Sequence, residues 1–152
     1  MRKLTRVLTT AVASAALVVG VASSASANGT VTWRSHFNGL CLGHTNNNDA
    51  VMRGCSYGDA QWYDQLESDG SYTQHVNGDR SYCLAAYSDH DVYVEKCTAN
   101  NPWQRFYEKY DNNRGLWRLQ HQATGWYITV YDNGFSIGVD PFNEGDNRQW
   151  FA

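Results

Sequence analysis

The sequence predicts an all-β fold built from three internal repeats, and three observations predict it. The stretch from Gly39 to Cys55 is a short apolar strand, a polar loop and a second strand, with cysteines fourteen positions apart. Ser81 to Cys97 repeats this shape, with the same step from Cys83 to Cys97. A third copy without cysteines runs from Gly125 to Pro141. Leu42, Leu84 and Ile128 are equivalent, a period of 42 to 44 residues that marks a repeat architecture.

The elements follow in order. Thr30 to Ser35 alternates as a half-buried strand does, and Phe37-Asn-Gly39 turns it into Leu40-Cys-Leu42. Ala50 to Met52 is the next short strand, and Gln61-Trp-Tyr63 opens a fourth that runs to Leu66. The second cycle reads Tyr72 to Val76, the turn Asn77-Gly-Asp79, Cys83-Leu84, Val92 to Val94, and Trp103 to Tyr107. The third reads Leu116 to Gln120, Tyr127 to Val130, Phe135 to Ile137, and Gln149 to Phe151. No window of eleven residues after the leader carries a helical period, so about twelve short strands are expected. Their unpaired edges are best removed by closing them into a barrel.

Residues 1–27 read as a secretory signal peptide, removed on export. Arg2, Lys3 and Arg6 precede an uncharged, Ala-rich run from Val7 to Val21, and Ala25-Ser-Ala27 is a small-residue cleavage signature. Residues 28–152 then form one domain, with repeats over about 28–69, 70–113 and 114–152. Without Arg2, Lys3 and Arg6 the chain keeps nine basic against fifteen acidic side chains. Such a surface repels phosphate backbones and anionic lipid, which argues against nucleic acid and membrane insertion.

Four cysteines in an exported chain are expected to be oxidised. Three pairings are possible, and the repeat favours Cys41–Cys55 and Cys83–Cys97, each clipping its own copy. In the third copy Tyr127 and Pro141 fall at the cysteine positions, so both places change together. A zinc site lacks any close Cys-x-x-Cys or Cys-x-x-His pair.

Each repeat closes on a polar residue two positions before a large aromatic: Gln61-Trp-Tyr63, Gln104-Arg-Phe106 and Arg148-Gln-Trp150. These aromatics are expected in a shared core, with the Gln side chains satisfying buried backbone groups.

With its strand-turn-Cys-Leu, second Cys and Gln-x-aromatic repeated along the whole chain after the leader, the sequence resembles the ricin B-type β-trefoil lectin domain. The resemblance implies a six-stranded barrel capped by three hairpins. It also implies carbohydrate binding, of galactose, mannose or xylan-type sugars, with no cofactor and no metal. The family's sugar pocket uses an Asp two positions after the first cysteine, an aromatic that stacks on the sugar ring, and an Asn or Gln before the Gln-x-Trp. Gly43, Ala85 and Thr129 stand at the three Asp positions here.

Polar and aromatic residues nonetheless cluster where a pocket would form. In the second repeat these are Tyr87, Asp89, His90, Asp91 and Tyr93, with Asn101 following; in the third they are Asp132, Asn133, Phe135 and Asn147. Asp89 or Asp91 is expected to replace the missing acceptor and Tyr93 to be the stacking ring. The first repeat offers Asn46, Asn47, Asn48 and Asp49 without an aromatic partner.

The expected function is a secreted, non-catalytic, lectin-like module acting through its second repeat. The alternative is a sugar-independent trefoil that binds protein. It would serve as an adaptor in a secreted assembly such as a toxin particle, or as an inhibitor of an extracellular enzyme. Trp103, Tyr107, Tyr110 and Trp126 would then anchor the interface. An enzyme is not expected: there is no Gly-x-Ser-x-Gly elbow and no His-Glu-x-x-His, and the five histidines show no ligand spacing.

Overall fold

The computed structural model describes residues 28–152. The expected leader over residues 1–27 lies outside the described residues. Eleven strands and three single 3-10 turns make up the fold. The strands are β1 (Gly29–Val31), β2 (Cys41–His44), β3 (Ala50–Arg53), β4 (Trp62–Leu66), β5 (Tyr72–Val76) and β6 (Asp79–Ala86). They continue as β7 (Val92–Lys96), β8 (Phe106–Asp111), β9 (Leu116–His121), β10 (Tyr127–Val130) and β11 (Ile137–Asp140).

The barrel runs β1–β4–β5–β8–β9 through antiparallel pairs. Its sixth wall is the segment around Phe151, which bridges Trp117 on one side and Ser35 on the other. Mutual backbone bonds at 2.8 and 2.9 Å tie Phe151 to Trp117, and Ala152 and Arg34 exchange bonds at 2.8 and 3.1 Å. Closure leaves the barrel strands without an open edge among the described residues. The Asn77-Gly78 turn joins β5 to β6, with Gly78 at φ 128, as a tight hairpin demands.

Three hairpins cap one end: β2–β3, the far half of β6–β7, and β10–β11. They hold each other in a cycle. Asp49 bridges Tyr93, Asp91 bridges Gly138, and Ser136 bridges Val51. Matching backbone bonds run from Val94 N–H to Asn48 O, Val139 N–H to His90 O and Met52 N–H to Phe135 O, at 2.7 to 3.1 Å. This is the β-trefoil that the repeats foretell.

The core collects the same residue from each repeat. Leu42, Leu84 and Ile128 are 0% exposed, as are Trp62, Phe106 and Phe151. Burying each such side chain contributes roughly 1.5–3 kcal/mol. Both disulfides form as the repeat pairing favours, Cys41–Cys55 and Cys83–Cys97.

Three local assignments differ from the sequence expectation. The three 3-10 turns end at Ala60, Gln104 and Gln149, and Trp62, Phe106 and Phe151 join the core cluster, so the closing motif is Ala60-Gln-Trp62 in repeat one and Gln149-Trp-Phe151 in repeat three, one residue away from the expected frame. Adjacent polar and aromatic residues allow both frames in sequence, and only the place of each ring in the core separates them: Trp150 is as buried as Phe151 but lies outside the core cluster. Trp103 does not open a strand; it lies in the 3-10 turn Pro102–Gln104 that precedes β8. The third-repeat partner of Tyr127 at the cysteine positions is Phe142, not Pro141, and the two rings meet at 5.4 Å. The β10–β11 loop is one residue longer than its counterparts: Tyr131 N–H bonds Ser136 O, whereas Tyr87 N–H bonds Asp91 O and Thr45 N–H bonds Asp49 O. An aromatic contact thus stands where the other repeats carry a disulfide.

The two aligned Gln residues tie backbone, as expected. Gln104 accepts from Thr98 N–H at 2.7 Å and donates to Lys96 O at 2.8 Å. Gln149 accepts from Asn143 N–H at 3.0 Å and donates to Pro141 O at 3.0 Å.

Candidate functional site

Strand alternation decides which side chains meet above each hairpin. In repeat two the register pairs Cys83 with Glu95 and Ala85 with Tyr93, so these residues and Tyr87 share one face. Ala85, at the position of the family's acidic residue, is 0% exposed. Above it three rings form a ladder. Tyr87 lies between Tyr93 and Trp103, with centroids 5.2 Å apart on each side and interplanar angles of 10° and 7°. Both faces of Tyr87 are therefore covered, and Tyr93 ends the stack half-exposed.

A carboxylate stands on the same face of the opposite strand. Glu95 accepts the Tyr87 hydroxyl at 3.0 and 3.1 Å and the Gln104 amide at 2.6 Å. Burial first, then the Glu95 hydrogen bond and charge, raise the Tyr87 hydroxyl well above its ordinary range, so it stays a donor. Burial and the Glu95 charge raise Tyr93 as well. Glu95 was not among the expected site residues. The available signal was its place two positions after Tyr93 on one strand face, beside a repeat-closing Gln.

The loop acids serve the turn. Asp89 accepts Asp91 N–H at 3.2 Å, and Asp91 supplies a backbone bridge to Gly138. His90, at φ 76, stacks on Trp126 at 4.5 Å and lies 2.7 Å from Val139 O and 3.0 Å from Asp140. Asn101 caps the 3-10 turn by accepting Trp103 N–H at 3.1 Å. Of the expected second-repeat residues, Tyr87 and Tyr93 thus come together with Glu95, Gln104 and Trp103, while Asp89, Asp91 and Asn101 shape the surrounding backbone.

The other two repeats fill the same space differently. In repeat one the Arg53 chain crosses Gly43, where an added Cβ would lie 2.7 Å from Arg53 Cδ and 2.7 Å from Asp59 O. Its guanidinium bonds His44 O at 2.6 Å, pairs with Asp59 and lies over the Tyr57 ring at 4.8 Å. Asn47 and Asp49 N–H groups bond the Thr45 hydroxyl, so that loop is turn structure.

In repeat three Thr129 donates to Tyr127 O at 2.9 Å and accepts from Gln149 at 3.1 Å. Tyr131 covers Gly138 so closely that an added Cβ would lie 2.0 Å from its hydroxyl oxygen. Asp132 reaches Arg148 at 2.7 Å, and Asn133 closes its turn through Phe135 and Ser136 N–H. Phe135 stands 65% exposed on the same loop. Asn147 sits in the 3-10 turn capped by Asp146, one residue before Arg148.

His75 and the Cys83–Cys97 sulfurs lie close together. Both sulfurs are already joined in a disulfide, which leaves no thiolate to bind a metal.

No family model and no curated protein matches the chain. Solved structures do match in fold. SeviL bound to the asialo-GM1 saccharide superimposes with a TM-score of 0.67 at 18% identity, covering 82% of this chain and 95% of that one. The designed threefold-symmetric protein ThreeFoil superimposes at 0.69 with 17% identity, covering 81% and 96%. The cytolethal distending toxin of Haemophilus ducreyi gives 0.66 at 14% identity, covering 80% of each chain.

Proposed function

We propose that this chain is a secreted, non-catalytic carbohydrate-binding module that engages its glycan at the second repeat. Tyr93 is the stacking ring and Glu95 the hydroxyl acceptor. The observation that carries this reading is the ladder Tyr93–Tyr87–Trp103 with the Glu95 carboxylate held on the Tyr87 hydroxyl, on the same hairpin face as Ala85. Tyr87 and Gln104 orient that carboxylate, and the rings supply a rigid apolar wall at small entropic cost. The fold it shares with a saccharide-bound protein supports the reading, and two intact disulfides support work outside the cell.

The test is a glycan-array and polysaccharide screen on oxidised residues 28–152, with Tyr93→Ala and Glu95→Gln beside the parent. A charge-assisted bond to a sugar hydroxyl contributes roughly 1.5–3 kcal/mol, so Glu95→Gln should weaken binding by about 10- to 150-fold. Full affinity in a folded Tyr93→Ala protein would refute the site. Silence from the folded parent would favour the protein-binding adaptor, a reading that the fold shared with a toxin also motivates.

A further inference from the structure

Opposite the hairpin cap, a cavity of about 390 Å³ opens among Val31, Thr32, Trp33, Tyr72, Trp117 and the carboxyls of Asp64 and Glu108. That volume lies within the range of small-molecule pockets. Trp33 and Trp117 meet edge to face at 6.3 Å on its wall. Three side chains fix its floor. Gln74, fully buried, accepts Trp33 Nε1–H at 3.0 Å, which orients its amide. Both amide hydrogens are then spent on carboxylates, one on Asp64 and one on Glu108 at 3.0 Å. Both carboxyls thus converge on one nitrogen, Gln74 Nε2.

Two carboxyls held on one buried amide nitrogen in a low-dielectric wall cannot both ionise cheaply, so together they retain a proton. Both are raised, by burial first. The titratable group facing them from β5 is Tyr72, itself raised by burial and by these acids. No cation answers them among the described residues. Arg105 pairs with Glu67 at 3.4 Å and Asp69 at 3.7 Å, Lys109 lies over Tyr107, and Arg114 and Arg118 lie over Trp150. A buried acid pair without a counter-ion costs stability relative to apolar residues of the same volume.

We infer that this barrel-mouth cavity is a binding site for a small organic cation, an aryl- or alkylammonium. Its ammonium sits on the Asp64–Glu108 pair and its apolar body lies against Trp33, Trp117 and Val31. The charge complements the pair, and the indole faces favour a cation over a neutral molecule of the same shape. Binding expels the shared proton, because the ligand's positive charge takes its place. This site uses none of Tyr87, Tyr93, Glu95, Trp103 and Gln104, and so stands apart from the glycan reading.

Calorimetric titration with benzylammonium, with benzyl alcohol as its uncharged counterpart, tests it. Benzylammonium should bind at least tenfold tighter. Its heat at neutral pH should vary between phosphate and Tris buffers, as release of up to one proton requires. The isosteric double variant Asp64→Asn/Glu108→Gln should lose tenfold or more in affinity. Should that variant misfold, the buffer dependence of the parent still decides. Equal affinity for the alcohol, heat independent of buffer, or no binding at millimolar benzylammonium would overturn the assignment.

Discussion

Replacing Asp64 with Asn should make the protein more stable at mildly alkaline pH, although it alters a buried hydrogen-bonded pair. Asp64 is 3% exposed, and burial, then the Glu108 hydrogen bond and charge, push its carboxyl from 3.8 up to about 9. In the unfolded chain that carboxyl is ionised above roughly pH 4. Between these limits the folded state keeps a proton that the unfolded state has released. Stability therefore falls as pH rises, by about 1.4 kcal/mol per pH unit for one proton. From pH 6 to pH 8 this group alone removes about 2.7 kcal/mol. An Asn carboxamide has the same shape, donates to Glu108 where the shared proton stood, and does not titrate. Urea unfolding followed by tryptophan fluorescence at pH 6, 7 and 8 reads the difference directly. The parent should lose stability across the series, and the variant should lose about 2.7 kcal/mol less. Two profiles parallel to within about 0.5 kcal/mol would refute the shared-proton account.

Two further outcomes follow from the same physics. His121 is fully buried, its Nε2–H donating to Trp103 O at 3.2 Å and its Nδ1 accepting from Thr124 at 2.9 Å, and burial pushes it from 6.5 down to about 4. Its contribution is complete above pH 6.5 and is lost as pH falls to about 4, roughly 3 kcal/mol in all, which a pH-dependent comparison of the parent with His121→Asn would measure. Gly43→Asp, which places in repeat one the acidic residue of the lectin domain that the sequence resembles, should lower stability by about 1–3 kcal/mol and create no sugar site. The new Cβ would press on Asp59 O and Arg53 Cδ, each 2.7 Å away, and thermal unfolding with a glycan screen checks both halves.

Much of the architecture was legible in the sequence because repetition samples one rule three times. Leu42, Leu84 and Ile128 mark the period, paired cysteines mark two of the hairpins, and Asn77-Gly78 marks a turn that few other residues allow. Single-residue frames were not legible. Arg148-Gln-Trp150 and Gln149-Trp-Phe151 satisfy the same local pattern, and only the closed barrel shows that Phe151 points inward between Ser35 and Trp117. Pro141 fits the cysteine spacing in sequence, yet the longer β10–β11 loop hands that place to Phe142.

The candidate sites divide the same way. The sequence by itself determined that the second hairpin carries aromatic and acidic residues and that Gly43, Ala85 and Thr129 stand where the family has Asp. Only the tertiary structure decided that Tyr87 is enclosed between Tyr93 and Trp103, and that Glu95 from across the hairpin accepts from Tyr87 and Gln104. The Asp64–Gln74–Glu108 floor is the clearest case. Its residues come from three strands of two repeats, and Trp33 joins them from the segment that follows β1. Local pattern reaches only a few residues along one strand. Barrel closure brings distant positions into one low-dielectric space, where their charges and hydrogen bonds first acquire their strength.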